Sequence, residues 1–93
     1  MTEHILKLND RYFDAVKNGI KTFEIRKNDR DFKVGDTLLL RRCNDQGLCE
    51  THGDDRLGIN VYDEIRCAIM YIITHEEFQG INEGYCVMSI KIQ

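Results

Sequence analysis

Hydrophobic and polar positions alternate with period two over much of this chain and switch once, early, to a helical rhythm. His4–Leu8 sets Leu6 and Leu8 against Ile5 and Lys7, the pattern of an opening strand. Asn9 or Asp10 offers a side-chain oxygen to cap a helix running to about Asn18, with Tyr12, Phe13 and Val16 as its apolar face. Gly19 suits the left-handed position that ends such a helix. An extended pattern resumes at Lys21–Lys27, and a charged loop, Asn28-Asp29-Arg30-Asp31, follows it. Val34-Gly35-Asp36 reads as a tight turn into a strand Thr37–Arg42.

Residues Cys43–Gly58 are polar and carry Gly47, Gly53 and Gly58, which fits either a long hairpin or an insertion between barrel strands. Tyr62–Ile73 is the longest β-type run: Ile65, Cys67, Ile69, Tyr71 and Ile73 alternate with Arg66, Ala68, Met70 and Ile72. Its faces both turn apolar toward the end, as in a central strand. A short helical turn is expected at His75-Glu76-Glu77-Phe78, and Tyr85–Ile92 closes the chain with Cys86, Met88, Ile90 and Ile92 on the core side. Five or more short strands with one early helix predict an α+β fold: a curled, partly closed barrel with the helix beside it. Residues 1–93 form a single domain.

Composition narrows the classes. A chain of 93 residues with 42% hydrophobic content builds one core, burying a little over roughly 60% of the unfolded chain's surface. No apolar run approaches the roughly 18 residues that mark a membrane helix, so no membrane role is expected. Met1-Thr2-Glu3-His4 shows no basic region leading into an apolar stretch, so no secretory signal is read and a cytoplasmic location is expected. On that footing all four cysteines are expected as reduced thiols, with Cys67 and Cys86 in the core. Cys43, Cys49 and His52 share a polar loop with zinc-compatible donors, but the C-x-x-C spacing and a fourth ligand are missing. No metal and no cofactor are assigned. The net charge of −3 argues against a broad duplex-binding surface. Basic residues instead concentrate at Lys21, Arg26, Lys27, Arg30 and Lys33, then Arg41 and Arg42, while Asp45, Glu50, Asp54, Asp55, Asp63 and Glu64 lie later. That asymmetry permits one small positive cleft.

The candidate chemistry sits in Gly19-Ile20-Lys21-Thr22-Phe23-Glu24-Ile25-Arg26. Along a strand, Phe23 and Ile25 point to one face and Thr22, Glu24 and Arg26 to the other, with Lys21 at the entrance. Two cations, a carboxylate and a hydroxyl thus converge within about 10 Å of backbone. Glu24 and Arg26 fit two readings: a surface ion pair of roughly 0–1 kcal/mol, or one wall of a polar ligand site. Lys21 at a helix end also complements the helix dipole. Asp29, Arg30 and Asp31 read as a solvated turn, and Tyr12, Phe13, Phe23 and Phe32 as core before stacking platform. His52 and His75 read as surface residues without partners. No Ser-His-Asp order or phosphate-cradling glycine loop is present.

The same eight residues match the G-x-K-x-x-E-x-R signature of the ASCH domain, a member of the PUA-like superfamily. The preceding helix Asp10–Lys17, the following Phe32-Lys33-Val34-Gly35-Asp36 and the closing Glu83-Gly84-Tyr85 resemble that family in the same order, leaving out only Cys43–Gly58. The chain looks most like the short stand-alone ASCH-like proteins of bacteria and phages, many of unknown function. The resemblance implies a β-barrel with a cleft between barrel and helix, lined by the signature residues, and an association with RNA or modified bases. One ASCH-like group hydrolyses the amide of acetylated cytidine with a lysine, a threonine and a glutamate. Its lysine matches Lys21, but its nucleophilic threonine falls where this chain has Glu24, and Thr22 stands two residues earlier. A threonine nucleophile also requires an adjacent base.

Three functions stay in view. The first is an RNA- or modified-nucleoside-binding module in which Glu24 and Arg26 read a base edge, Lys21 contacts a phosphate or carbonyl, and Tyr12, Phe32 or Tyr71 stacks the base. The second is a small nucleoside amidohydrolase of the acetylated-cytidine type, with Lys21 and Glu24 in acid–base roles. The third is a protein-interaction domain with an acidic face around Asp54, Asp55, Asp63 and Glu64.

Overall fold

The alternating pattern of residues 3–9 becomes an edge strand because its second face has something to pack on. In the computed structural model, which describes residues 1–54, 56 and 58–93, strand β1 (Glu3–Asn9) buries His4, Leu6 and Leu8 and exposes the residues between them. The side chain of Asn9 then accepts from the Arg11 backbone N–H at 3.0 Å, capping helix α1 (Asp10–Lys17). Phe13 and Val16 are its buried face; Tyr12, expected with them, is exposed.

Six further strands follow: β2 (Phe23–Lys27), β3 (Thr37–Cys43), β4 (Thr51–Asp54), β5 (Ile59–Tyr62), β6 (Glu64–Thr74) and β7 (Tyr85–Ile92). Five form one sheet in the order β1-β3-β6-β7-β2, with β1 and β3 parallel and the other pairs antiparallel. The helical crossover and the charged loop carry the chain from β1 through β2 to β3, the long connection that a parallel pair requires. β4 and β5 make a separate two-stranded hairpin, inserted in the chain between the paired strands β3 and β6. At 75–78 there is a turn, in which the Glu77 and Phe78 N–H groups both donate to the Thr74 carbonyl at 3.1 Å. Among the described residues no helix is long and apolar enough to cross a membrane.

The sheet curls into a half-barrel whose concave side holds Leu38, Leu40, Cys67, Ile69, Cys86 and Met88, all essentially inaccessible. Its two edges, β1 and β2, face one another across a seam. Backbone pairing does not close that seam; Arg26 Nη2, from β2, donates to the Lys7 carbonyl of β1 at 2.9 Å. Mostly strand with one short helix, the architecture matches the expected α+β class.

Three expectations about faces are corrected. Glu24 and Arg26 turn toward the concave side, paired in register with Met88 and Cys86, and Phe23 and Ile25 turn outward and are exposed. Beyond Ile69 a bulge shifts the β6–β7 register between Ile69 and Tyr71, so Ile72 packs on the core while Tyr71 is exposed. Ile92, expected in the core, is exposed near the chain end.

The cysteine expectation is corrected too. Cys43 and Cys49 form a disulfide, whereas Cys67 and Cys86 are buried free thiols as expected. His52 faces Asp63, Nδ1 to Oδ1 at 3.2 Å, and His75 Nδ1 lies 2.5 Å from the Ile81 carbonyl oxygen, so neither histidine lacks a partner.

Candidate functional site

The end of α1 builds the site. Gly19 takes φ +74°, a left-handed conformation that suits a residue without Cβ. Its N–H donates to the Val16 carbonyl at 3.0 Å and that of Ile20 to the Ala15 carbonyl at 2.9 Å, the paired bonds of a Schellman ending. The Lys21 N–H reaches the same Ala15 carbonyl at 3.0 Å, docking Lys21 against the helix before β2 begins.

From there the Lys21 ammonium donates to the Phe23 carbonyl at 2.6 Å and to Glu24 Oε1 at 2.5 Å. Arg26 Nε donates to Glu24 Oε2 at 2.8 Å. The carboxylate is 2% exposed and sits between two cations whose side chains remain 17% and 22% exposed. A buried charge survives only with such partners, because its desolvation is otherwise too costly. The ion-pair reading is therefore correct as geometry, but the pair is internal and triangular.

Over this cluster opens a cleft of about 440 Å³ lined by Lys7, Leu8, Asn9, Tyr12, Lys21 and the strand Phe23–Arg26. Aromatic rings flank the ammonium, with Lys21 Nζ 5.5 Å from the Tyr12 ring centre and 4.8 Å from that of Phe23. Both distances lie within cation–π range. The donor arithmetic leaves capacity for a ligand. An ammonium has three N–H donors and a guanidinium five, while a carboxylate oxygen accepts at two lone pairs. Lys21 uses two donors here, Arg26 uses Nε and Nη2, and each Glu24 oxygen receives one bond.

Of the expected site residues, Lys21, Glu24 and Arg26 converge and Thr22 does not. Thr22 is exposed, lies outside the cleft lining, and contributes its carbonyl to the Ile90 N–H at 3.0 Å. Tyr12 lines the cleft as one of the expected stackers; Phe32 is buried against His4, and Tyr71 is exposed outside the lining. Phe23, read from sequence as core, is the second aromatic wall. Tyr12 is recoverable from the helix, since it sits about two turns before Gly19, at the end that delivers Lys21. The acids of the proposed acidic face are locally engaged: Asp63 by His52, Glu64 by Arg41 at 2.8 Å, and Asp54 by Arg56 at 3.6 Å; Asp55 lies outside the described residues. With Cys43 and Cys49 bonded to each other, the three zinc-compatible donors of that loop are not gathered, and among the described residues no cluster of metal-binding side chains occurs.

Behind the cleft, burial and then the Glu24 charge push the Cys67 thiol up to about 11. A thiol held that high is protonated at neutral pH, as suits a core residue.

Fold and site together define a small α+β domain with a charged, aromatic-flanked cleft at the open seam of a half-barrel. The chain belongs to the family described as Domain of unknown function (DUF3850), which matches residues 3–90. It is also similar to an uncharacterized 12.9 kDa protein in the GpA 3′ region of Escherichia phage P2, at 51% identity over 37 residues. That match takes in 40% of this chain and spans about a third (34%) of the phage protein's length.

Proposed function

We propose that this chain is an ASCH-like, PUA-like module that binds RNA or a modified nucleoside in the Lys21–Glu24–Arg26 cleft. The observation that carries the reading is a buried carboxylate held between two cations at the floor of a cleft with aromatic walls. Such a floor offers donors and acceptors side by side. A base edge with an exocyclic amine next to a ring nitrogen or carbonyl, as in cytosine, gives its amine to Glu24 and accepts from Arg26 or Lys21. Tyr12 or Phe23 supplies the stacking face, worth about 1–3 kcal/mol per base.

Binding fits the geometry better than hydrolysis. The Glu24 carboxylate beside Lys21 favours its charged ammonium, which suits donation to a ligand better than proton abstraction. The residue in the matching position of the acetylated-cytidine hydrolases is a threonine, and here it is that same glutamate.

The test is an amide NMR titration with the common ribonucleosides, acetylated cytidine and short single-stranded RNAs, with product assayed in the same samples. Shifts clustered at Tyr12, Lys21, Glu24 and Arg26 without turnover are expected. Conversion of acetylated cytidine would replace binding by amide hydrolysis, and silence across the panel would remove the nucleoside reading altogether.

A further inference from the structure

A second cavity, of about 520 Å³, adjoins the first along β1, and Lys7 and Arg26 line both. Its wall includes four cations, Lys7, Arg26, Arg30 and Arg41, and, among the described residues, no carboxylate, in a chain whose net charge is −3. Two of the four are neutralised, Arg26 by Glu24 and Arg41 by Glu64, each at 2.8 Å. Lys7 and Arg30 are not. Among the described residues their polar partners are backbone carbonyls, Gly47 for Lys7 Nζ at 2.9 Å and Ile5 for Arg30 Nη1 at 3.1 Å.

Both retain unused N–H donors beside the cavity. Arg41 adds a rigid guanidinium held 3.8 Å over the Tyr62 ring. An electropositive pocket with spare forked donors suits phosphate oxygens, which accept charge-assisted bonds from several cations at once. The spacing also fits. Arg26 caps the Lys7 carbonyl and Arg30 the Ile5 carbonyl, two residues apart on one strand and therefore about 7 Å. A ribose links a base to its phosphate over that order of length.

The geometry points to a phosphate subsite: a nucleotide whose base occupies the Glu24 cleft sets its phosphate against Arg30, Lys7 and Arg41. The ligand is then a phosphorylated nucleotide, free or within a strand, and not a neutral nucleoside. This step rests on reading the Glu24 cleft as the base site.

Calorimetry on the full chain at low salt tests it, with the four ribonucleosides, their 3′- and 5′-monophosphates, dinucleotides and ribose 5-phosphate as probes. One monophosphate or dinucleotide is expected to bind about tenfold or more tighter than its own nucleoside, and that advantage shrinks as salt rises. Arg30→Glu removes the preference and Arg30→Lys keeps most of it, with thermal melts confirming that each variant folds. The ratio in the unaltered protein, with its salt dependence, requires no variant. A preference for monophosphates identifies a free nucleotide, and one for dinucleotides a strand. Equal affinity for nucleoside and nucleotide overturns the phosphate subsite and leaves the base cleft standing. If ribose 5-phosphate binds as tightly as any nucleotide, the anion site survives and the base reading falls. No binding by any probe removes both.

Discussion

Among the described residues two carboxylates are buried, Glu24 in β2 and Asp36 just before β3, and they are held in opposite ways. Asp36 takes bonds from the Thr2 N–H at 3.1 Å, the Lys33 N–H at 3.1 Å and His4 Nε2 at 2.8 Å. Two of those donors are backbone, and the third is a ring packed edge-on to Phe32 with centres 4.8 Å apart. Since an ionised carboxylate only accepts, the Asp36 bond assigns the hydrogen to His4 Nε2. Glu24 receives only side-chain donors, and each belongs to a partly exposed cation at the cleft. Backbone donors cannot leave without unmaking the fold, whereas side-chain cations can share a bond with an arriving ligand. Asp36 is thus a rivet that ties the N-terminal strand to the turn before β3, and Glu24 is the group with bonding capacity to offer.

The largest expected effect separates them by stability. Asp36→Ala strips partners from two backbone N–H groups and a buried histidine, at a cost of about 3 kcal/mol or more in unfolding free energy. Denaturant unfolding measures this. Affinity for the proposed nucleotide ligand, measured on the folded fraction, stays at its original value, because no Asp36 contact reaches the cleft. A change in affinity would show that the two carboxylates are one network.

Glu24→Gln is the next test. It keeps the shape and one acceptor oxygen, and its cationic neighbours can hydrate through the cleft, so the expected stability loss is about 1–2 kcal/mol. Affinity should fall about tenfold or more, as expected when a base-reading acceptor is lost. The comparison breaks if Glu24→Gln melts the protein as severely as Asp36→Ala and leaves affinity untouched; Glu24 would then be a second rivet.

The difference between the carboxylates was only half legible in the chain. Local rules narrow the α1 cap to Asn9 or Asp10 and give its glycine ending and the delivery of Lys21, because each depends on residues a few positions apart. Alternation locates β2, but reading Phe23 as core assigns its faces the wrong way round. β2 is a sheet edge, and there inward-pointing charge replaces the apolar face that a central strand presents; it also discourages edge-to-edge pairing. The β6 bulge defeated simple parity in the same way, since nothing local announces the extra residue that brings Ile72 inward. Asp36 was noted as a turn residue, yet its partner His4 lies 32 positions earlier and meets it through the parallel β1–β3 pairing. The Cys43–Cys49 disulfide has no signature in the spacing alone; it depends on the loop turning back to bring the two α-carbons within 4.0 Å.

The smallest and most specific effect is in acid. His4 first, then the Thr2 N–H, hold the Asp36 carboxyl below the usual carboxylate range, and the Lys33 N–H adds to them against the opposing cost of burial. A carboxyl depressed on folding contributes stability that is fully present above its unfolded value and is lost as pH falls through the folded one. The contribution that depends on the Asp36 charge is therefore lost only as pH falls below about 4. Unfolding free energies of the unaltered protein and of Asp36→Asn, measured from about pH 7 to pH 2, should differ above about pH 4 and converge at the acid end. Were the gap to persist unchanged to the lowest pH, the value of Asp36 would lie in its neutral hydrogen bonds. The contrast with Glu24 would then rest on who donates, backbone or side chain, and not on charge.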